Sequence, residues 1–200
     1  GIDLYQPMRD GGGAAAVPVQ HALDRAERTF DLMVQLGVPL LSITPSALPI
    51  ALQQPALAAE HLQRLAALAA QRNLRLAFAP EPDHSAIGSI RDAWATVARA
   101  NHPHLGLLID SVDMLSGPEH PRAIREIPGN RIFFVRVDDA RRAGGGKWAG
   151  WVRNFPGQGE LDVVGVLEHV LFTGYTGPIS LSGVSDVWRA TPSRRIGIDA

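Results

Sequence analysis

The apolar run GLLID ends in Asp110, and Asp113 follows three residues later. Two carboxylates just past a buried strand suit a hard cation such as Mg or Mn, or an acid/base pair acting on a carbonyl or hydroxyl. The same spacing suits a helix N-cap, in which Asp113 or Ser111 accepts from the first free amides of the next helix. FAPEPDH places Glu81, Asp83 and His84 past another apolar run. They form either a ligand set or, with two prolines among them, a rigid turn. VRVDDARR ends a third run in Asp138 and Asp139 followed by two arginines, and its plain reading is a solvated, salt-bridged turn. FPGQGELD has glycines ahead of a helix but no Lys-Ser/Thr, so it matches neither a P-loop nor a dinucleotide fingerprint and reads as a tight turn. HExxH and GxSxG spacings are absent, which removes zinc protease and serine hydrolase chemistry.

Positioning these groups falls to short apolar runs that alternate with helical patterns, the signature of parallel strands joined by crossover helices. The predicted strands are 2–6, 40–44, 74–79, 105–110, 131–137 and 179–182. Leu23, Ala26, Phe30, Met33 and Val34 repeat at steps of three or four and predict an amphipathic helix stopped by Gly37. The same periodicity predicts helices near 55–72, 89–101 and 161–173, with a shorter one within 119–126. Residues 9–18 and 138–160 read as loops by composition. Six βα units fit either an open doubly wound sheet or part of an eight-unit barrel, and both gather chemistry at the carboxyl ends of their strands. Those ends carry Arg9 and Asp10, Thr44 and Ser46, Glu81 to His84, Asp110 and Asp113, Arg136 to Asp139, and Ser182 to Asp186.

Composition bounds the rest. A chain of 200 residues, 46% hydrophobic and 20% charged, is expected to form one domain, 1–200. Its net charge of -1 supplies no footprint for nucleic acid or an anionic membrane. The absence of cysteine excludes disulfides, thiolate metal sites and a cysteine nucleophile, and is compatible with a cytoplasmic protein. No apolar stretch approaches the ~20 residues of a membrane span, and the N-terminal residues lack a signal-peptide layout. Without an initial methionine, the chain reads as an excerpt of a longer polypeptide.

Several phrases together then resemble a known family. LYQPMRD, RAERTFDLMVQLG, ANHPHLGLLIDSVDML, IREIPGNRIFFVRVDDA, NFPGQGELD and GYTGPISLSGVSD are similar to the xylose isomerase-like barrels, specifically the bacterial 3-dehydroshikimate dehydratases. The resemblance runs across nearly the whole chain. It implies a parallel (β/α) TIM-type barrel of which this chain supplies six of eight units, two lying upstream, with a dioxygenase-like domain often present downstream. It also implies one divalent cation (Mg, Mn or Co) at the barrel mouth, a lyase or isomerase activity on a small polyhydroxy acid or sugar, and conversion of 3-dehydroshikimate to protocatechuate.

Of the family's four ligand positions, only Asp110 carries the family's residue. Ala79 stands where the first glutamate would be, Arg136 where the glutamine would be and Ser182 where the last glutamate would be. Asp113 replaces a histidine, and DHSA replaces the family's WGRH stretch. A divalent ion 4 Å from an inward-pointing Arg136 would meet about 8 kcal/mol of repulsion at an effective dielectric near 20. The expectation is that Arg136 takes the metal's place against Asp110 and that dehydration is impaired. The alternative is a rearranged acidic site in which Glu81, two residues past Ala79 and on the same face of an extended strand, joins Asp110, Asp113 and Asp138 or Asp139. Arg9 matches the family's PFRD pattern. It contacts an anionic ligand or forms a surface ion pair, and with Asp113 it carries any remaining catalytic role.

Overall fold

In the computed structural model, residues 19–45, 55–81, 87–117, 119–142 and 151–182 are described. The predicted strand 2–6, and Arg9, Asp10, Ser46, Asp83, His84, Ser185 and Asp186, lie outside them. The elements run α1 (Val19–Leu36), β1 (Leu40–Ile43), α2 (Pro55–Ala70), β2 (Arg75–Phe78), α3 (Ile90–Ala100), β3 (Leu105–Asp110), α4 (Ser111–Ser116), β4 (Ile132–Val137), β5 (Asp139–Arg142), β6 (Trp151–Asn154), α5 (Val163–Phe172) and β7 (Ile179–Leu181). Five strands make one sheet in the order β1-β2-β3-β4-β7, every neighbouring pair parallel. This is the βα alternation that the sequence predicts.

The helices cover one face of the sheet. In α1, Ala22, Ala26, Phe30 and Met33 are buried in a single stripe. Val34, expected on that stripe, is 52% exposed, because it falls at the stripe's margin and turns toward solvent. Gly37, at φ +66, ends the helix, with the Val38 amide donating back to the Met33 carbonyl at 2.9 Å. In α3, Ser89 and Asp92 form a reciprocal capping box, and Asn101 closes the other end in the left-handed region. Alternation along the strands sends Leu76, Phe78, Leu105, Leu107 and Ile109 into this helix-covered core, while Ala77, Ala79, Leu108 and Phe133 form a second, smaller cluster.

Two expectations are corrected. Residues 138–160 are not simply a loop, since β5 and β6 pair as an antiparallel hairpin with Ala140 opposite Arg153. The short helix in 119–126 is a 3-10 turn, Pro121–Glu126, started by His120, whose side chain accepts from the Arg122 amide.

β3 and β4 pack closely at Gly106, where a Cβ would lie 2.6 Å from the Arg131 carbonyl and 2.6 Å from the Phe133 ring. Gly106→Ala therefore overpacks the strand pair that carries Asp110 and Arg136. A loss of about 2 kcal/mol in urea denaturation is expected, and an unchanged midpoint would contradict it.

Candidate functional site

Register sets the centre of the site: Asp110 and Arg136 are partners across the β3–β4 pair. The Arg136 Nε donates to Asp110 Oδ2 at 2.5 Å. Asp110 is also the N-cap of α4, its Oδ1 accepting from the amides of Val112 at 2.9 Å and Asp113 at 3.0 Å. The cap expected of Asp113 or Ser111 is made by Asp110 itself, on the same carboxylate that pairs with Arg136. Its side chain is 1% exposed.

A second arginine reaches the same carboxylate from the hairpin. Arg153 Nη1 donates to Asp110 Oδ2 at 2.9 Å and Oδ1 at 3.1 Å, and also to Asp138 Oδ2. Its Nη2 donates to Asp113 Oδ1 at 2.9 Å. Ser111 ties the start of α4 to the end of β4: its Oγ donates to the Asp138 carbonyl at 2.6 Å and accepts from the Asp138 amide at 2.8 Å. Asp138 is fully buried, and its Oδ1 has no hydrogen-bond partner among the described residues.

Three carboxylates thus surround two guanidinium groups, and the imbalance sets their proton affinities. Burial, then the neighbouring Asp110 charge, pushes Asp113 up to about 7, with Glu81 adding a smaller push and Arg153 and Arg136 opposing. Burial likewise raises Asp138, with Asp110 adding and the bond from Arg153 opposing. Arg153 is held more firmly charged than usual, since the carboxylates outweigh its desolvation.

Asp139 has a different task. Its Oδ1 accepts from the amides of Ala140 at 2.8 Å and Leu161 at 3.0 Å, and its Oδ2 from those of Gly157 at 3.0 Å and Gly159 at 2.8 Å. Burial works to raise its pKa, but the four donors prevail and hold it below the usual carboxylate range. At Gly159 a Cβ would come within 2.1 Å of Asp139 Oδ1, so the glycine is needed for this approach. The FPGQGELD turn wraps a carboxylate of its own chain and leads into α5, where Asp162 caps the Gly165 amide at 3.0 Å. Asp138 and Asp139, expected in a solvated turn, are buried at 0% and 2% exposure, Asp138 against Arg153 of β6 and Asp139 inside the turn of residues 157–161.

The remaining predicted residues disperse. Ala79 is buried in the small cluster with Ala77, Leu108 and Phe133. Ser182 lies just past β7, its amide donating to the Val137 carbonyl at 3.2 Å. Glu81 is partly exposed and acts on Asp113 through its charge. Arg153 was not among the predicted site residues; the only trace of it is the strand-like alternation in WVRN.

The donor set does not fit a divalent cation as it stands. Both Asp110 oxygens already accept from arginine, and Oδ1 from two amides as well. Among the described residues, no three His, Cys, Asp or Glu side chains are placed to hold a metal ion.

Comparison with known proteins places this geometry in context. A family model described as xylose isomerase-like TIM barrel matches residues 2–195. The chain is 40% identical over 200 residues to a 3-dehydroshikimate dehydratase of Pseudomonas putida, covering 99% of this chain and 32% of that protein. It therefore spans about a third of the length of this curated relative. A solved xylose isomerase-like TIM barrel/4-hydroxyphenylpyruvate dioxygenase fusion protein superposes at a TM-score of 0.83 with 39% identity, over 99% of this chain and 32% of the other. The IOLI protein, crystallised with a bound zinc atom, shares the fold at a TM-score of 0.80 and 16% identity, over 98% of this chain and 69% of the other.

Proposed function

This chain belongs to the xylose isomerase-like TIM barrel family, and from that premise we propose that its barrel mouth has exchanged a metal centre for arginine–aspartate pairing and is impaired in metal-dependent dehydration of 3-dehydroshikimate. Similarity to proteins named 3-dehydroshikimate dehydratase supports the lineage, and the zinc in the IOLI structure supports a divalent ion as the ancestral occupant. The observation that carries the reading is the state of Asp110, the one residue that matches the family's ligand set. Its oxygens are engaged by Arg136, Arg153 and the first amides of α4. Ala79 and Ser182 contribute no carboxylate at two further positions, and Arg136 contributes a positive charge at the third.

What the mouth retains is the means to bind an anion. Arg136 has only its Nε committed among the described residues, and its side chain is 36% exposed. Its outer nitrogens suit the carboxylate of a small polyhydroxy acid, a bidentate geometry for which guanidinium is well shaped. Arg9 completes this proposal as a second anion contact. Asp113, pushed up to about 7 by burial and the neighbouring Asp110 charge, is the group able to exchange a proton with such a ligand. Neither a membrane nor nucleic acid is among the proposed partners, a cytoplasmic location is proposed with them, and further domains in the same polypeptide are proposed from the fusion relative.

A second reading keeps a working metal-dependent lyase or isomerase with a relocated acid set of Glu81, Asp110 and Asp113. The observation in its favour is that Glu81 lies near enough for its charge to raise Asp113.

One experiment separates the two. Elemental analysis of the full-length protein is expected to find no stoichiometric Mn, Mg or Co. Protocatechuate formation from 3-dehydroshikimate is expected to be absent or very slow, and unaffected by added divalent metal. One tightly held ion per chain, or strong stimulation by metal, overturns the reading in favour of the relocated site.

A further inference from the structure

Three neighbouring strand ends bring opposite charges to the barrel mouth. Phe78 is paired with Leu107, and the chain runs on past β2 with the Ala79 amide donating to the Ile43 carbonyl at 2.9 Å, which carries Glu81 toward the level of Asp110. Asp110 is in turn paired with Arg136. Asp113 follows in the first turn of α4, and Asp138 lies just past β4. The signs do not cancel: four carboxylates meet only the guanidinium groups of Arg136 and Arg153. Acceptors are left over among the described residues. Asp113 gives Oδ1 to Arg153 and keeps Oδ2 free, with its side chain 24% exposed, and the partly exposed Glu81 makes no side-chain hydrogen bond. Asp138 Oδ1 is buried without a partner. Donors are left over as well, since Arg136 commits only its Nε.

We propose that the ligand of this mouth is a zwitterion, a small hydroxy acid that also carries an amine, with its carboxylate on the outer nitrogens of Arg136 and its ammonium between Glu81 and Asp113. The proposal rests on the reading above that Arg136 receives a carboxylate, and it narrows the class of acid. A plain anion would enter a field in which carboxylates already outnumber guanidinium groups. A zwitterion adds no net charge and brings a donor to the open acceptors as well as an acceptor to the open donors. An ammonium suits this arrangement where a divalent ion does not. It has three rotatable donors and needs no closed shell of oxygens around it, so two carboxylates on separate elements are enough. Burial and the Asp110 charge push Asp113 up to about 7, with Glu81 adding, and a positive group beside it would oppose that shift.

Calorimetric titration of the full-length protein tests this with two matched pairs of probes. L-serine is compared with glycerate, and γ-aminobutyrate with γ-hydroxybutyrate, so that an ammonium replaces a hydroxyl at a short and at a longer distance from the carboxylate. In at least one pair the amine is expected to bind about 10-fold more tightly, the scale of one hydrogen bond between charged groups. Glu81→Gln should erase that preference, and Arg136→Met should weaken both members of the pair. Both side chains are part-exposed, so these variants are expected to fold. Equal affinity within both pairs overturns the proposal, as does a preference that survives in E81Q and in Asp113→Asn alike. Ethanolamine binding as tightly as the better amino acid overturns it too, because the carboxylates would then be acting without Arg136. If equal affinities come with a loss in R136M, only the present proposal falls. If the wild type binds no carboxylate, or R136M binds every probe unchanged, the reading in the previous subsection falls and takes this one with it.

Discussion

Asp139→Ala will destabilise the protein by about 4 kcal/mol, one of the two largest losses expected from a single substitution outside the apolar core. The carboxylate accepts from four backbone amides at 2.8 to 3.0 Å. Hydrogen bonds to a charged group contribute roughly 1.5–3 kcal/mol each and do not add fully. Alanine leaves all four donors to find water in a part-buried turn. Asp139→Asn should cost nearly as much, because it brings an NH₂ group toward donors. The pH dependence has a definite sign. Asp139 is more acidic in the folded state than in the unfolded state, so the stability it contributes is present above the ordinary carboxylate value, near 3.9. It is lost as pH falls through the depressed folded value. Urea denaturation of wild type and variant from pH 7 down to 2 should therefore show a gap that is full at neutrality and narrows only below about pH 4. A gap that stays constant through that range would mean that the carboxylate charge is not the source.

Asp110→Ala is the second large effect, expected at about 4 kcal/mol. Removing one partner of a buried ion pair typically costs 3–5 kcal/mol, since the charge left behind has lost both its partner and its water. Here Arg136 loses its carboxylate partner, Arg153 is left with Asp113 and Asp138 alone, and α4 loses its cap at the same time. The contrast with Arg136→Met is diagnostic: that side chain is 36% exposed, and losing it should cost no more than about 1 kcal/mol. Equal losses for the two variants would show that the β3–β4 ion pair, rather than the junction at Asp110, dominates.

The sequence made the parallel strands legible because each is a short, mostly apolar run, as in LGLLID and IFFVRV. Kinship with the barrel family was legible as well, through phrases in turns that have little freedom to vary, such as FPGQGELD. The hairpin was not. Its strands DARR and WVRN flank a stretch rich in glycine and alanine, and its pairing depends on residues it packs against rather than on its own propensity. Arg153 stayed hidden for a related reason, since it meets Asp110 across 43 residues and Asp113 across 40, with no local spacing to betray either contact. Asp110 was recognised as a site residue, but the cap was expected of Asp113 or Ser111, whereas one carboxylate has enough lone pairs to cap α4 and to accept from arginine together. Asp138 and Asp139 were misread as solvated because adjacent acids usually are. Asp138 meets Arg153 from β6, and what satisfies Asp139 is backbone, which leaves no mark in side-chain composition.

The Asp139 knot also bears on how this part of the molecule moves. One side chain holds amides at 140, 157, 159 and 161, on both sides of the hairpin that carries Arg153. None of those bonds can be released by rotating the carboxylate without releasing the others. The hairpin base and the turn into α5 therefore open as one cooperative unit and not by fraying from an end. In this barrel, the guanidinium at the mouth is kept in position by an event that is all or none.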